Sequence, residues 1–188
     1  TENILINEDK LYVLINNAYE WGNYQGIIGQ VDLTTLTYES EIDLGPDAKN
    51  PINLMFKDDI LYTLNNKNWD GTSISHVTLD GVSTTIVLSD VSAGCGVSII
   101  RDEKLNYQIS GDTEMGIFDL GTGSFGVEEN LNMNYYSVSE NPINGNLFAA
   151  TADFVTNSQV YIYDSNNTEI TNFTSGVTSV TTDSFTAT

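Results

Sequence analysis

A leucine-aromatic pair, or a near equivalent, comes round four times in this chain, and an aspartate keeps step behind each. The pairs are Leu11-Tyr12, Leu61-Tyr62, Leu105 with Tyr107, and Leu147-Phe148, spaced by 50, 44 and 42 residues; the aspartates are Asp32, Asp80, Asp119 and Asp164. Self-similarity at this spacing marks one small unit copied in series, and it admits propeller blades, kelch-like blades or helical pairs.

The pattern inside each copy decides among them. Leu11–Ile15, Ile27–Val31, Ile60–Leu64, Thr84–Leu88 and Gln159–Tyr163 are short runs rich in β-branched and aromatic residues, bounded by Asn, Asp and Gly. Such runs favour strands. No window carries a sustained apolar stripe at helical spacing between a capping box and a glycine stop, so almost no helix is expected. Each copy reads as four strands; in the second they are roughly Ile52–Phe56, Ile60–Leu64, Ser73–Leu79 and Thr84–Leu88. Asp80-Gly81 and Asn144-Gly-Asn146 suit tight turns, because these residues accept positive φ at little steric cost. The connection from second to third strand is instead long and variable: Asn16–Gly26, Asn65–Thr72, Ser110–Glu114 and Ala152–Asn157. Four-stranded antiparallel units with one variable loop each predict an all-β fold, a β-propeller, whose radial plan leaves only short protected edges. The expected blades are 1–49, 50–93, 94–134 and 135–177, with 178–188 as a closing strand or the first strand of a next blade.

Charge narrows the partners. Twenty-six acidic side chains against six basic ones give a formal charge of −20, and a chain so acidic lacks the clustered Lys and Arg that neutralise phosphates. Nucleic acid is therefore not an expected partner. No membrane-spanning apolar run, signal peptide or lipid-anchor cysteine is present, so direct membrane insertion is not expected. The single cysteine, Cys95, cannot form an internal disulfide, and with one histidine, His76, the usual zinc sites are excluded. No cofactor is expected. The many carboxylates leave a structural calcium ion open, although no Asp-x-Asp-x-Asp loop occurs. Asn166-Asn-Thr168 and Asn172-Phe-Thr174 match the N-glycosylation pattern.

Lys10-Leu-Tyr-Val, Val31-Asp-Leu-Thr-Thr-Leu, Ile42-Asp-Leu-Gly and Asn50-Pro51 together resemble the rhythm of the YncE-like, or YVTN-repeat, β-propellers. The last copy, with Asn141-Pro-Ile-Asn-Gly-Asn-Leu-Phe-Ala-Ala, Val160-Tyr-Ile-Tyr-Asp-Ser-Asn and Phe173-Thr-Ser-Gly-Val, is similar to the C-terminal blades of the surface-exposed propeller lipoproteins of Bacteroidetes. Copy three departs most, since Leu105-Asn-Tyr-Gln replaces Leu-Tyr-Val. The resemblance implies a ring of about seven blades, of which this chain would be four. It also implies an extracellular or outer-membrane surface location, and a corrinoid as one concrete ligand. Four copies read as a C-terminal portion or a compact ring; a four-bladed ring of the haemopexin type latches its ends with a disulfide that one cysteine cannot supply. A portion would leave apolar blade faces for missing blades or a protein partner to cover.

Function is expected in the long loops, which a propeller gathers on one face. They carry Tyr19, Trp21, Tyr24, Trp69, Asp70, Asp112, Asp153 and Phe154. Exposed aromatics dominate binding hot spots and carboxylates fix orientation by charge-assisted hydrogen bonds, whereas the bland alternatives are packing for the tryptophans and turn chemistry for the aspartates. The reading is a non-catalytic binding module for a protein partner or a nutrient, with a structural scaffold subunit as the alternative. A propeller lyase or hydrolase is disfavoured because so few His, Cys, Arg and Lys are available to act as base or nucleophile.

Overall fold

Short β-branched and aromatic runs bounded by Asn, Asp and Gly turns produce strands almost everywhere the sequence predicts them. The computed structural model describes residues 3–16, 22, 24–88, 91–94 and 96–177. In it, the first sheet comprises β1 (Asn3–Asn7), β2 (Lys10–Ile15), β3 (Ile27–Asp32) and β4 (Thr37–Asp43). The second comprises β5 (Pro51–Lys57), β6 (Ile60–Asn65), β7 (Thr72–Thr78) and β8 (Ser83–Leu88). The third comprises β9 (Ser98–Arg101), β10 (Lys104–Gln108), β11 (Met115–Asp119) and β12 (Phe125–Glu128). The fourth comprises β13 (Tyr135–Glu140), β14 (Leu147–Thr151), β15 (Asn157–Tyr163) and β16 (Glu169–Val177). Every sheet is an antiparallel meander in chain order. One turn of 3₁₀ helix, Lys67–Trp69, is the sole helical element among the described residues. The expected strand at 178–188 and Cys95 lie outside the described residues.

The chain divides into two compact units, Thr1–Cys95 and Gly96–Thr188. In the first unit the two sheets stack face to face. Register puts Leu5, Tyr12, Leu14, Ile28 and Ile42 on one face of the first sheet, and Leu54, Phe56, Leu61 and Val77 on one face of the second. These side chains form a single core with Leu44 and Ala48. The rest of the second sheet's face is polar, with Thr63, Asn65, Ser73 and Ser75 fully buried. Asn65 Nδ2 donates to Ser73 Oγ and Ser75 Oγ at 3.0 Å each, and Ser75 Oγ meets Thr85 Oγ1 at 2.9 Å. Two hydroxyls then reach the crossing segment between the sheets: Ser73 Oγ donates to the Asp47 carbonyl at 2.6 Å and Thr85 Oγ1 to that of Leu44 at 3.2 Å. Buried hydroxyls are stable here because each finds a partner. Gly26 permits the same crossing; a Cβ there would lie 2.2 Å from the Ala48 carbonyl oxygen.

In the second unit Val138, Leu147, Ala149, Tyr161 and Tyr163 of the fourth sheet pack on Val97, Ile99, Met115 and Leu131. Tyr135 and Tyr163 share a buried hydroxyl hydrogen bond of 2.6 Å, and burial pushes both phenols above their ordinary pKa. The only arginine, Arg101, is 6% exposed and clamps the two sheets. Its Nη2 donates to the Gly145 carbonyl at 2.8 Å, Nη1 donates to Asn167 Oδ1, and Nε lies 3.6 Å from Glu140. A planar guanidinium can serve several acceptors at fixed angles, as a lysine cannot.

Copy three shows why its sequence departs. Asn106, 5% exposed, occupies the place of Tyr12, while Tyr107 shares the face of Leu105 and lies over Gly116, where a Cβ would be 2.2 Å from the ring. Tyr38 covers Gly29 in the first sheet in the same manner, its hydroxyl 2.7 Å from a Cβ built there. The close approach at Gly26 predicts that Gly26→Ala lowers unfolding free energy by about 1–3 kcal/mol, the usual cost of overpacking. Gly126→Ala, with open space around it, should change it by less than about 0.5 kcal/mol; urea titration of both variants is the measurement.

Candidate functional site

In the second and third sheets the variable loop is held by a buried polar residue at the end of the second strand or just beyond it, and in the fourth by an exposed aspartate. In the second sheet this is Asn66, 1% exposed. Its Oδ1 accepts from Asn50 Nδ2 at 2.6 Å and from the Asn68 amide at 3.0 Å, and its Nδ2 donates to the Gly94 carbonyl at 3.0 Å. Above it Lys67, Asn68 and Trp69 take φ values of 47°, 59° and 69° in succession. Positive φ is unfavourable for a bulky side chain, so the Asn66 anchor over-determines a conformation the residues would not choose. The result is an exposed indole: Trp69 is 63% accessible. Asp70 closes the turn, its amide donating to the Lys67 carbonyl at 3.4 Å, and the Lys67 ammonium lies 3.6 Å from Asp47.

In the third sheet Gln108, 2% exposed, has the same task. Its Nε2 donates to the carbonyls of Ile109, Asp112 and Glu114 at 3.2, 3.0 and 3.2 Å, and its Oε1 accepts from the Tyr135 amide at 3.0 Å. Asp112 Oδ1 accepts from the Thr113 amide at 2.7 Å. In the fourth sheet Asp153 accepts from the amides of Val155 and Thr156 at 2.9 and 2.7 Å and from Thr156 Oγ1 at 2.6 Å. Those bonds, the Thr156 hydroxyl first, depress its pKa to about 2. Phe154 follows at φ 63°, 58% exposed, its ring set edge-on to Tyr136 at 5.1 Å.

Trp69 and Phe154 thus repeat one arrangement, an exposed aromatic at positive φ on a pinned loop. Sequence patterning locates these residues but not their backbone conformation, because neither position carries the Gly or Asn that usually signals it. Tyr19 and Trp21 lie outside the described residues. Tyr24 is half-buried and lines a cleft of about 380 Å³ with Gln25, Asp43, Pro46 and Lys49, within the roughly 300–1,000 Å³ range of small-molecule sites. Asp43 is fixed there by Gln25 Nε2 at 2.8 Å and the Gly45 amide at 2.8 Å. Trp69 and Asp70 do not line this cleft. Asp112 and Asp153 spend their carboxylates within their own loops, which is turn chemistry.

A second, polar cleft of about 180 Å³ lies at the β9–β10 and β15–β16 turns of the second unit, where Lys104, Asn106, Glu128 and Asn167 line it beside Arg101. Sequence reasoning missed it; the one signal was that Arg101 and Lys104 stand together in a chain with six basic residues.

No family model and no curated protein matches this chain. Solved structures do. Hydrazine synthase of Kuenenia stuttgartiensis is 16% identical with a TM-score of 0.63, over 89% of this chain and 46% of that one. The computationally designed Ika4 protein is 12% identical with a TM-score of 0.59, over 86% and 88%. A chain of the mitotic checkpoint complex is 13% identical with a TM-score of 0.57, over 89% and 48%. The chain therefore spans about half the length of two of these three. At such identities the likeness shows the fold alone, and it is the β-propeller with four-stranded antiparallel blades, four of them here.

The depressed Asp153 pKa gives a titration with a definite sign. The carboxylate contributes order to its loop above the ordinary pKa of about 3.9 and loses it as pH falls through about 2. Val155 and Thr156 amide shifts followed by NMR should titrate with that midpoint in the native chain and show no such step in Asp153→Asn.

Proposed function

We propose that this chain is a non-catalytic binding module whose variable loops present aromatic anchors to a partner. One observation carries the reading: Trp69, 63% exposed, ends a run of three residues at positive φ above a buried asparagine anchor. Backbone held in so unfavourable a region costs about 1–3 kcal/mol per residue, and such strain concentrates at ligand clamps and other functional sites. Water gains nothing from an indole held this way. A partner does, because a rigid aromatic gives large contact area with little entropy left to lose on binding.

Phe154 supports the same reading from the other unit. The composition supports binding over catalysis, with one His and one Cys in the whole chain and the loop carboxylates of Asp112 and Asp153 tied to their own backbones. The finer reading is a module displayed at a cell surface, akin to the YncE-like propellers its sequence resembles. There the Tyr24 cleft would take part of a small nutrient, a corrinoid being the concrete case, or Trp69 and Phe154 would grip a protein.

Trp69→Asn separates function from stability. Asparagine tolerates positive φ, so the variant should match or exceed the native urea midpoint, while Trp69→Asn/Phe154→Ala should weaken capture of the partner by at least about tenfold, as loss of hot-spot aromatics does. Calorimetric titration with cobalamin tests the nutrient version. Retention from outer-membrane extract, native against variant, tests the protein version. Unchanged capture by the double variant would refute the loop-face reading.

A further inference from the structure

Copy three breaks the repeat at one place, and the break opens a site. Where Leu11-Tyr12, Leu61-Tyr62 and Leu147-Phe148 carry an aromatic, Leu105-Asn106 carries an amide. In the first sheet that aromatic, Tyr12, fills the core shared with the second sheet, among Leu54, Leu61 and Val77. Register places Asn106 on one face with Gln108, Met115 and Ile99, and Met115 and Ile99 pack on Leu147 and Tyr163 of the fourth sheet, in the same unit. Tyr107, one residue along, points to the opposite face and cannot refill the gap. The join between the third and fourth sheets is therefore short of a ring. The polar cleft of about 180 Å³ lies there, between Asn106 and the β15–β16 turn at Ser165 and Asn166.

The lining limits what can fill it. Two cations, Arg101 and Lys104, stand with two carboxylates, Asp102 and Glu128, so the walls carry no net charge. The other lining side chains are amides and one hydroxyl; none is apolar. Asn106 is 5% exposed and its Nδ2 donates to the Lys104 carbonyl at 3.3 Å, while its Oδ1 accepts from nothing among the described residues. The side chains of Asn130, Ser165 and Asn166 are equally uncommitted among those residues. Glu128 accepts from the Asn130 amide alone, at 3.3 Å. Arg101 and Asn167 are instead locked to each other, which holds the floor of the cleft rigid.

A free ion of either sign gains nothing from walls of zero net charge, and an anion is also repelled by a chain carrying −20. An apolar molecule would strip water from the amides without replacing its hydrogen bonds. A hydroxyl both donates and accepts, as an amide and a serine do, and it also suits a carboxylate acceptor or an ammonium donor. The volume of about 180 Å³ is about six times the roughly 30 Å³ that a water occupies in the liquid, room for one sugar ring and not for two. We propose that this cleft binds a single monosaccharide, its hydroxyls held by Asn106, Asn130 and Asn166, with Glu128 accepting from a vicinal pair. The site is separate from the Tyr24 cleft and from the variable loops, and it stands independently of the partner-binding reading.

Backbone amide shifts of the whole chain, followed by heteronuclear NMR during titration with glucose, galactose, mannose and arabinose, are the test. At least one of these sugars should give saturable shifts in the millimolar range at Lys104, Asn106, Glu128 and Asn167, and inorganic phosphate and glycine should give none. Asn106→Tyr restores the ring of the other copies, so it should hold or raise the urea midpoint and abolish the shifts. Glu128→Ala, at a half-buried carboxylate, should leave folding intact and weaken binding by about tenfold or more, as loss of a hydrogen bond to a charged group does. Leu36→Ser, at a turn residue of the first unit that is 77% exposed, should change neither. Far-UV circular dichroism reports folding; if Asn106→Tyr does not fold, Glu128→Ala decides. Silence from all the sugars, shifts that map elsewhere, equal shifts from phosphate or glycine, or native affinity in either folded variant would each overturn the proposal.

Discussion

A strand that is apolar on both faces cannot rest against water on either, and the second strands of the first, second and fourth copies are such strands. Leu11 and Tyr12, or Leu61 and Tyr62, point to opposite sides of one sheet, so each of these sheets has an apolar face on either side to cover. A sheet with one face in water would have alternated apolar with polar. Stacking of small sheets follows from that single requirement, and so does the positioning of everything else. In the first unit the two sheets are joined by a short crossing segment, Leu44 to Asp47, whose carbonyls are caught by hydroxyls of the second sheet. This crossing lines the Tyr24 cleft through Gly45 and Pro46.

The repeat, the strands and the turns were legible in the sequence because each rests on local chemistry: β-branched alternation, and Gly, Asn or Asp where the chain reverses. The loops carrying Trp69 and Phe154 were legible as places. Their geometry was not, since positive φ at Lys67 and Trp69 is imposed from below by Asn66, which reads in sequence as one more loop asparagine. Arg101 was equally opaque. Its acceptors come from residues 140, 145 and 167, and nothing local to Ser98–Arg101 announces them. Copy three is the instructive case. Asn106 in the place of a tyrosine looks like a decayed repeat, yet Tyr107 fills the space that Gly116 leaves, so the covering role is retained with the aromatic moved one residue along.

The loops divide labour within each copy. Tight turns after the third strand repeat an aspartate device: Asp32 accepts from the amides of Thr34 and Thr35 and from the Thr35 hydroxyl, and Asp119 from those of Gly121 and Thr122 and the Thr122 hydroxyl. Asp164 holds the last such turn through Asn166 and Thr168. Asp153 uses the same device inside a variable loop, leaving the neighbouring Phe154 free to face outward. Rigid support and exposed payload are thus adjacent in sequence, which is how a loop can carry an aromatic without losing it to collapse onto the core.

The same device bears on a charge that otherwise looks excessive. Backbone hydrogen bonds, first among them the Thr35 and Thr122 amides, hold the Asp32 and Asp119 carboxyls below the usual range. A carboxylate solvated by its own turn needs no cation, so acidic residues can accumulate at turns without a matching set of lysines. Their mutual repulsion is borne by solvent-exposed positions, where screening makes it weak. Turn formation and stacking are therefore written in different residues: aspartates fix the reversals, and leucine, isoleucine and aromatic side chains between them fill the cores.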